Sequence, residues 1–279
     1  MTVIENPMYS RQRLARRLRK GREKAELTQQ QVAESFGWSP SKVIRLESGT
    51  KPANVPDVMV LLNAYGIAGE EAEQLIELAR VARQPSRYAR YKDIMSPEFE
   101  AFLAYEESAS VIRDFARNVV PGLLQTEEYA EEVLKSFDVP EAELDTRVAL
   151  RMDRKKVLEN ETKFFYILDE SVLRRQVGSE ATMRRQYEAL AMANARPNVK
   201  VMFVPFKAGL YPFFRAPYTI LEFPDSREEL IAYLEKPETQ EILSEKMPKS
   251  NRPNPSEYLA KFYEVERSLA LDLSEGDWS

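Results

Sequence analysis

The residues that could do chemistry are few in kind. The 279-residue sequence contains no His and no Cys, which removes Ser-His-Asp triads, thiol nucleophiles, disulfides and Cys/His zinc sites. Acid–base work is left to carboxylates, Lys and Tyr. The nine glycines form neither G-x-G-x-x-G nor G-x-x-x-x-G-K-[ST], so no dinucleotide or P-loop site is expected. We expect no cofactor, no metal ion and no enzymatic activity. The one pattern with a definite chemistry lies in residues 27–49, LTQQQVAESFGWSPSKVIRLESG. There the side chains suit hydrogen bonding to base edges and phosphates rather than bond making.

The elements that must position those side chains follow from local signals. Thr28 is a good N-cap for a short helix over Gln29–Phe36, and Gly37 supplies a tight turn. Ser39-Pro40 then opens a second helix, with Ser as N-cap and Pro at the first helical position, running to a C′ glycine at Gly49. At ~100° per residue, Val43 and Leu46 of that helix point inward, as do Val32 and Ala33 of the first. Ser41, Ile44, Arg45 and Ser48 then point outward, with Pro40 and Lys42 on the flanks. Such a pair is a helix-turn-helix, whose second helix enters the major groove. Arg45 suits bidentate binding of guanine, and Ser41 a base edge. The outward Ile44 suits either a thymine methyl or burial against another part of the protein. Gln29 and Ser39, each beside a helix N-terminus, suit phosphate contacts.

Charge supports the same reading. The net charge is -5 overall, yet residues 9–51 hold 11 basic and 4 acidic residues, net +7. A compact basic segment on a mildly acidic chain points to nucleic acid. Much of it falls on a predicted helix over 10–24, built on Leu14 and Leu18, whose basic face would add phosphate contacts. Further helices are predicted at 55–65 and 70–83. The N-terminus lacks the apolar run of a secretory signal. The longest uncharged stretch, Val58 to Gly69, is twelve residues, short of the ~18 of a membrane span. A cytoplasmic protein is expected.

After a break at Gln84-Pro85-Ser86 the pattern changes. Helical periodicity covers 97–108, 126–137, 141–159, 179–195 and 255–273. Strand-like runs fall at Ser110–Phe115, Phe164–Leu168, Val199–Phe206, Tyr218–Phe223 and Leu230–Leu234. This alternation predicts an α/β (α+β) domain, a mixed sheet flanked by helices, over 97–275. A mostly α, five-helix domain over 8–84 and a linker over 85–96 precede it. Within the second domain Asp169-Glu170 stand between a strand and a helix, where capping is favoured over acid–base chemistry. Arg147, Arg151, Arg154, Lys155 and Lys156 read as a solvated basic face. The segment Phe206–Tyr218 carries five aromatics, one glycine and two prolines, unusually apolar for a loop. Tyr211, Phe213 and Phe214, with Arg215 as a polar anchor, are candidates for a ligand or partner surface; packing into the core is the competing reading.

Residues 9–66 resemble the lambda-Cro/Xre repressor family of five-helix DNA-binding domains. The matching phrases are LTQ-x-x-VA at 27–33, Gly37, SPSKV at 39–43, RLESG at 45–49 and LLNAYG at 61–66. The resemblance implies phosphate contacts from Gln29 and Ser39 and base proximity for Pro40, Ser41 and Arg45. Pro40 and Ile44 depart from it, standing at outer positions that are often polar. The later phrases VPGLLQTEEYA at 120–130, LDESVLRRQVG at 168–178 and PNVKVMFVPF at 197–206 resemble actinobacterial regulators of the Scr1 antitoxin-like type. These join a Cro/Xre domain to a C-terminal domain of unknown function. The resemblance implies a transcriptional regulator on a double-stranded DNA operator, acting as a homodimer, whose C-terminal domain mediates oligomerisation and senses a protein or small molecule. Two other readings stay open: an antitoxin-like protein that binds a small protein encoded nearby, and a DNA-tethered enzyme using carboxylate or Lys chemistry.

Overall fold

The structure is a computed structural model that describes residues 6–137, 139–212, 214–224, 230–235, 239–244 and 253–278. The chain divides between Arg90 and Tyr91 into two compact units.

The first unit is helical. α1 (Pro7–Lys24) begins three residues before the predicted start, because the Asn6 side chain accepts a hydrogen bond from the Met8 N–H at 2.8 Å and Pro7 takes the first turn. Thr28 and Gln31 close a reciprocal cap at the head of α2 (Gln29–Ser35). α3 (Pro40–Ser48) starts at Ser39-Pro40 as expected, but the Ser39 hydroxyl makes no capping bond. It ends at Gly49, whose φ of 66° is left-handed. A Cβ there would also stand 3.1 Å from that of Ala15, so both backbone and packing require glycine. α4 (Val55–Ala64), capped by Asn54, and α5 (Gly69–Val81) complete the five. Leu14, Leu18, Val32, Ala33, Val43, Leu46, Leu61 and Leu75 form one buried core. The inward faces read from periodicity are therefore the ones that pack.

The second unit is built on a seven-stranded mixed sheet among the described residues, flanked by helices. Within the predicted linker the chain forms a 3₁₀ turn, Ala89–Ile94, and Tyr91 is buried with its hydroxyl donating to Asp153 at 2.6 Å. α6 (Pro97–Ser108) leads into β1 (Val111–Ala116). α7 (Glu127–Lys135) and α8 (Glu141–Arg154) cross over to β2 (Lys163–Asp169). α9 (Glu170–Arg174) and α10 (Glu180–Asn194) return to β3 (Val199–Val204). β4 (Tyr218–Glu222), β5 (Ile231–Glu235), β6 (Gln240–Ser244), α11 (Pro255–Ser268) and β7 (Leu271–Asp272) follow. The order is β6-β5-β4-β1-β2-β3-β7, with β1, β2 and β3 parallel and every other pairing antiparallel.

Three predictions need correction. The helix expected to 273 stops at Ser268, and the chain turns to pair Leu271 and Asp272 with β3. The helix expected to 159 ends at Arg154 and tightens into a 3₁₀ turn. β6 was not expected. It lies at the edge of the sheet, where short strands of mixed polarity are tolerated, and only Leu243 is buried.

The two sheet faces differ. Phe115, Ile167, Ile220, Ala232 and Leu234 share a core with Tyr258, Phe262 and Val265 of α11. The register aligns Tyr166, Asp114, Thr219 and Tyr233 in a row across β2, β1, β4 and β5. Aligned residues share a face, so this polar row lies on the side opposite α11. There Phe102 of α6 stacks on Tyr233, with ring centroids 4.1 Å apart.

Candidate functional site

Val43 and Leu46 are buried, and Pro40, Ser41, Ile44, Arg45 and Ser48 are exposed together on the outer side of α3. Ile44 leaves half of its surface open (50%), so within the described structure it is not covered by the protein. Ser39 stands exposed at the head of the same helix with its hydroxyl unused as a cap. Base-reading and phosphate-facing candidates are thus presented on one helix.

Two site residues are tied differently from the expectation. Lys42 is partly buried, its ammonium 2.7 Å from the Asp57 carboxylate and 3.7 Å above the Trp38 ring. Its charge pairs with Asp57 and joins α3 to α4. Gln29 is half-buried, and its Nε2 donates to Glu47 at 2.9 Å. One amide hydrogen is therefore committed. Glu47 in turn accepts from Arg22 Nε at 2.7 Å and Nη2 at 3.0 Å, and Arg22 Nη1 donates to the Leu27 carbonyl at 2.7 Å. This network locks α1, α2 and α3 together. The hydrogen bonds to Glu47 hold the Arg22 guanidinium above its ordinary pKa despite burial. Glu47, within RLESG, is thus a structural residue whose partners lie 18 and 25 positions away.

Part of the basic face expected of α1 is paired within the unit. Arg22 is buried against Glu47, Arg17 pairs with Glu71, and Arg19 pairs with Glu23 at 2.9 Å. Lys20 and Lys24 remain exposed.

In the second unit, Asp169 caps α9, accepting from the Ser171 N–H at 2.9 Å, as expected. It also accepts from the Tyr211 hydroxyl at 2.5 Å. Tyr211 is buried, and its ring meets Phe115 and Phe214 edge-on at 5.7 and 5.3 Å. Burial and the Asp169 carboxylate raise its pKa. The expectation of an exposed recognition ring is thus corrected for Tyr211, which completes the core. Phe214 is half-buried under the Arg117 guanidinium, 4.1 Å from its ring centre. Arg215 is exposed, and Phe213 lies outside the described residues. The open apolar side chains of this segment are Phe206 and Leu210, at 60% and 84% exposure.

In the 147–156 patch Lys156 is exposed as expected, but Arg151, Arg154 and Lys155 are engaged within the protein. Arg154 makes a bidentate, buried pair with Glu106 at 3.1 and 2.8 Å. Arg151 donates to Gln125 Oε1 and Lys155 to the Gln125 carbonyl, both at 2.7 Å. Burial, then the neighbouring Arg154 charge, lowers the Arg151 pKa to about 10. These groups help to line a cavity of about 1070 Å³, together with Asp114, Thr219, Tyr233 and Phe102. It opens at the carboxyl end of β1, where open α/β sheets place their ligands.

Asp114 sits deep in the protein yet keeps surface on the cavity. Burial, then repulsion by Glu235, raises its pKa from the ordinary 3.8 to about 7, partly offset by the Thr219 hydroxyl at 3.3 Å. The folded state therefore holds this proton more tightly than the unfolded chain. Its stabilising effect is complete below the ordinary carboxylate pKa and is lost as pH rises through about 7. Thermal unfolding of wild type and Asp114→Asn from about pH 5 to 8 checks this. Wild type is expected to lose on the order of 1–3 kcal/mol relative to the variant across that range. Parallel curves would show that Asp114 does not titrate there.

The helical unit thus defines a helix-turn-helix regulator of the DNA-binding class, and residues 13–75 match the family model described as a helix-turn-helix domain. Residues 99–251, more than half of the chain, match the model described as a domain of unknown function (DUF5753), and the chain belongs to that family. No curated protein and no solved structure matches the chain. No helix among the described residues is long and apolar enough to cross a membrane.

Proposed function

We propose that this protein is a sequence-specific transcriptional regulator that lays α3 in the major groove of an operator. The observation that carries this reading is the outer face of α3, where Ile44 is half exposed beside Arg45 and Ser41. An apolar side chain open to water on a helix otherwise ordered around a core is explained by contact with a thymine methyl. Arg45, exposed and without an ion pair among the described residues, reads guanine. Ser39 and the second amide hydrogen of Gln29 take phosphates.

The C-terminal unit is read as the part that forms a homodimer, matching two half-sites of a near-palindromic operator, and receives a signal. We read it as non-enzymatic and the whole as cytoplasmic. The resemblance to actinobacterial Cro/Xre regulators of the Scr1 antitoxin-like type supports this assignment. Exposure of Phe206 and Leu210 favours one variant of it, in which the signal is a small protein encoded nearby.

Selection of bound duplexes from a random pool tests the DNA reading. Wild type is expected to enrich one site. Arg45→Ala should lose ~1–3 kcal/mol on that site and relax preference at one base pair. Unchanged affinity and preference would remove Arg45 from base reading.

A further inference from the structure

The cavity at the carboxyl end of β1 holds polar groups that the protein itself leaves unsatisfied. Tyr233 is 4% exposed and stacks on Phe102 at the cavity wall, with its hydroxyl buried away from the open space. Buried polar groups in folded proteins rarely go unpaired without a functional reason. Two strands away, on β1, Asp114 has only the Thr219 hydroxyl, at 3.3 Å, as a hydrogen-bond partner among the described residues. Arg154 binds Glu106 through Nε and Nη2, and its charge offsets part of the negative charge around Asp114. Glu235 lines the same cavity and adds to the negative charge. Facing this acidic floor, Arg151 uses Nη1 on Gln125, and its other N–H groups make no hydrogen bond among the described residues.

We propose that this cavity binds a small amphoteric molecule, with a protonated nitrogen held by Asp114 and an acidic group held by Arg151. Each half answers a separate deficiency. A ligand N–H donates to the Asp114 carboxylate. A ligand carboxylate accepts from the free N–H groups of Arg151, the geometry that guanidinium groups favour. A volume of about 1070 Å³ admits a ligand of this class with room for ordered water. A purely anionic ligand would meet Asp114 and Glu235, and a purely cationic one would leave Arg151 unused.

This proposal rests on the reading of the C-terminal unit as the receiver of a signal. Calorimetric titration of the full chain without DNA tests it, so failure of the site and failure of operator recognition are distinguishable. The probes are L-arginine and L-lysine (amphoteric), agmatine and cadaverine (cationic) and glutarate (anionic), at about pH 8 so that Asp114 is ionised. The amphoteric pair should bind about threefold or more tighter than the cationic pair, and glutarate should bind least. Asp114→Asn should weaken both pairs by about tenfold or more, and Arg151→Gln should abolish the advantage of the amphoteric pair. Absence of millimolar binding by all four cation-bearing probes, or equal binding by wild type and Asp114→Asn, would overturn the proposal.

Discussion

Glu47→Ala is expected to cost the helical unit about 3–5 kcal/mol, the usual effect of removing one partner from a buried ion pair. The Glu47 side chain is 2% exposed and that of Arg22 11%, so Arg22 would be left charged in a site with little water. Its hydrogen bond to Leu27 would remain, but both bonds to the carboxylate, and the one from Gln29, would be lost. Small domains have only ~5–15 kcal/mol of stability in total. Thermal denaturation followed by helical circular dichroism should show the transition of this unit falling by roughly 10–20 °C. Operator affinity should fall with it, because α3 is held against α1 and α2 through the same network. The double change Arg22→Met with Glu47→Leu should recover most of the stability, since the penalty arises from the orphaned charge and not from the pair as such. A Glu47→Ala protein that melts with wild type would show that the network does not hold the three helices.

Glu106→Ala should have an effect of the same order on the C-terminal unit, about 3–5 kcal/mol. Here the side chains are 3% and 9% exposed. The Arg154 guanidinium lies over the rings of Phe99 and Phe102, at 5.2 and 5.6 Å, and acts on the nearby Arg151. Loss of Glu106 leaves two neighbouring cations with no carboxylate between α6 and α8. Urea denaturation should show the midpoint of this unit falling while the slope is kept. Glu106→Gln, which can still accept one of the two hydrogen bonds, should fall less. An unchanged midpoint in Glu106→Ala would show that the pair adds nothing to the packing of α6 on α8.

The contrast between these pairs and the recognition helix explains what could be read from the chain beforehand. Thr28, Gly37, Ser39-Pro40 and Gly49 act on their own neighbours, so the short helix, its turn and the limits of α3 follow from local rules. Val43 and Leu46 turn inward by helical period alone, and that places Arg45 and Ile44 outward. Arg22 and Glu47 stand 25 positions apart, and Glu106 and Arg154 stand 48 apart. Their pairing is a product of tertiary packing that no window along the chain displays. For that reason the 147–156 patch reads as a solvated basic face and α1 as a phosphate-facing one, although Arg22 and Arg154 are consumed inside the protein. Tyr211 misled for a related cause: aromatic density in a connection is equally compatible with a surface and with a core. What decides is Asp169, placed 42 positions away to receive its hydroxyl. β6 escaped notice because an edge strand needs only one buried face, and Gln240-Glu241-Ile242-Leu243-Ser244 carries a short, mixed one. The polar row of Tyr166, Asp114, Thr219 and Tyr233 is legible only once the strand register is known.

The central claim, recognition of a DNA sequence by α3, is tested most directly by a fluorescence-anisotropy titration of the full chain. One labelled duplex carries the selected site and another the same bases scrambled, both titrated at a fixed near-physiological salt concentration and again at higher salt. The account predicts binding at least about 10³-fold tighter to the selected duplex. It also predicts affinity for both duplexes falling steeply with salt as counterions return to the phosphates. Equal affinity for the two duplexes, or binding indifferent to salt, would contradict it.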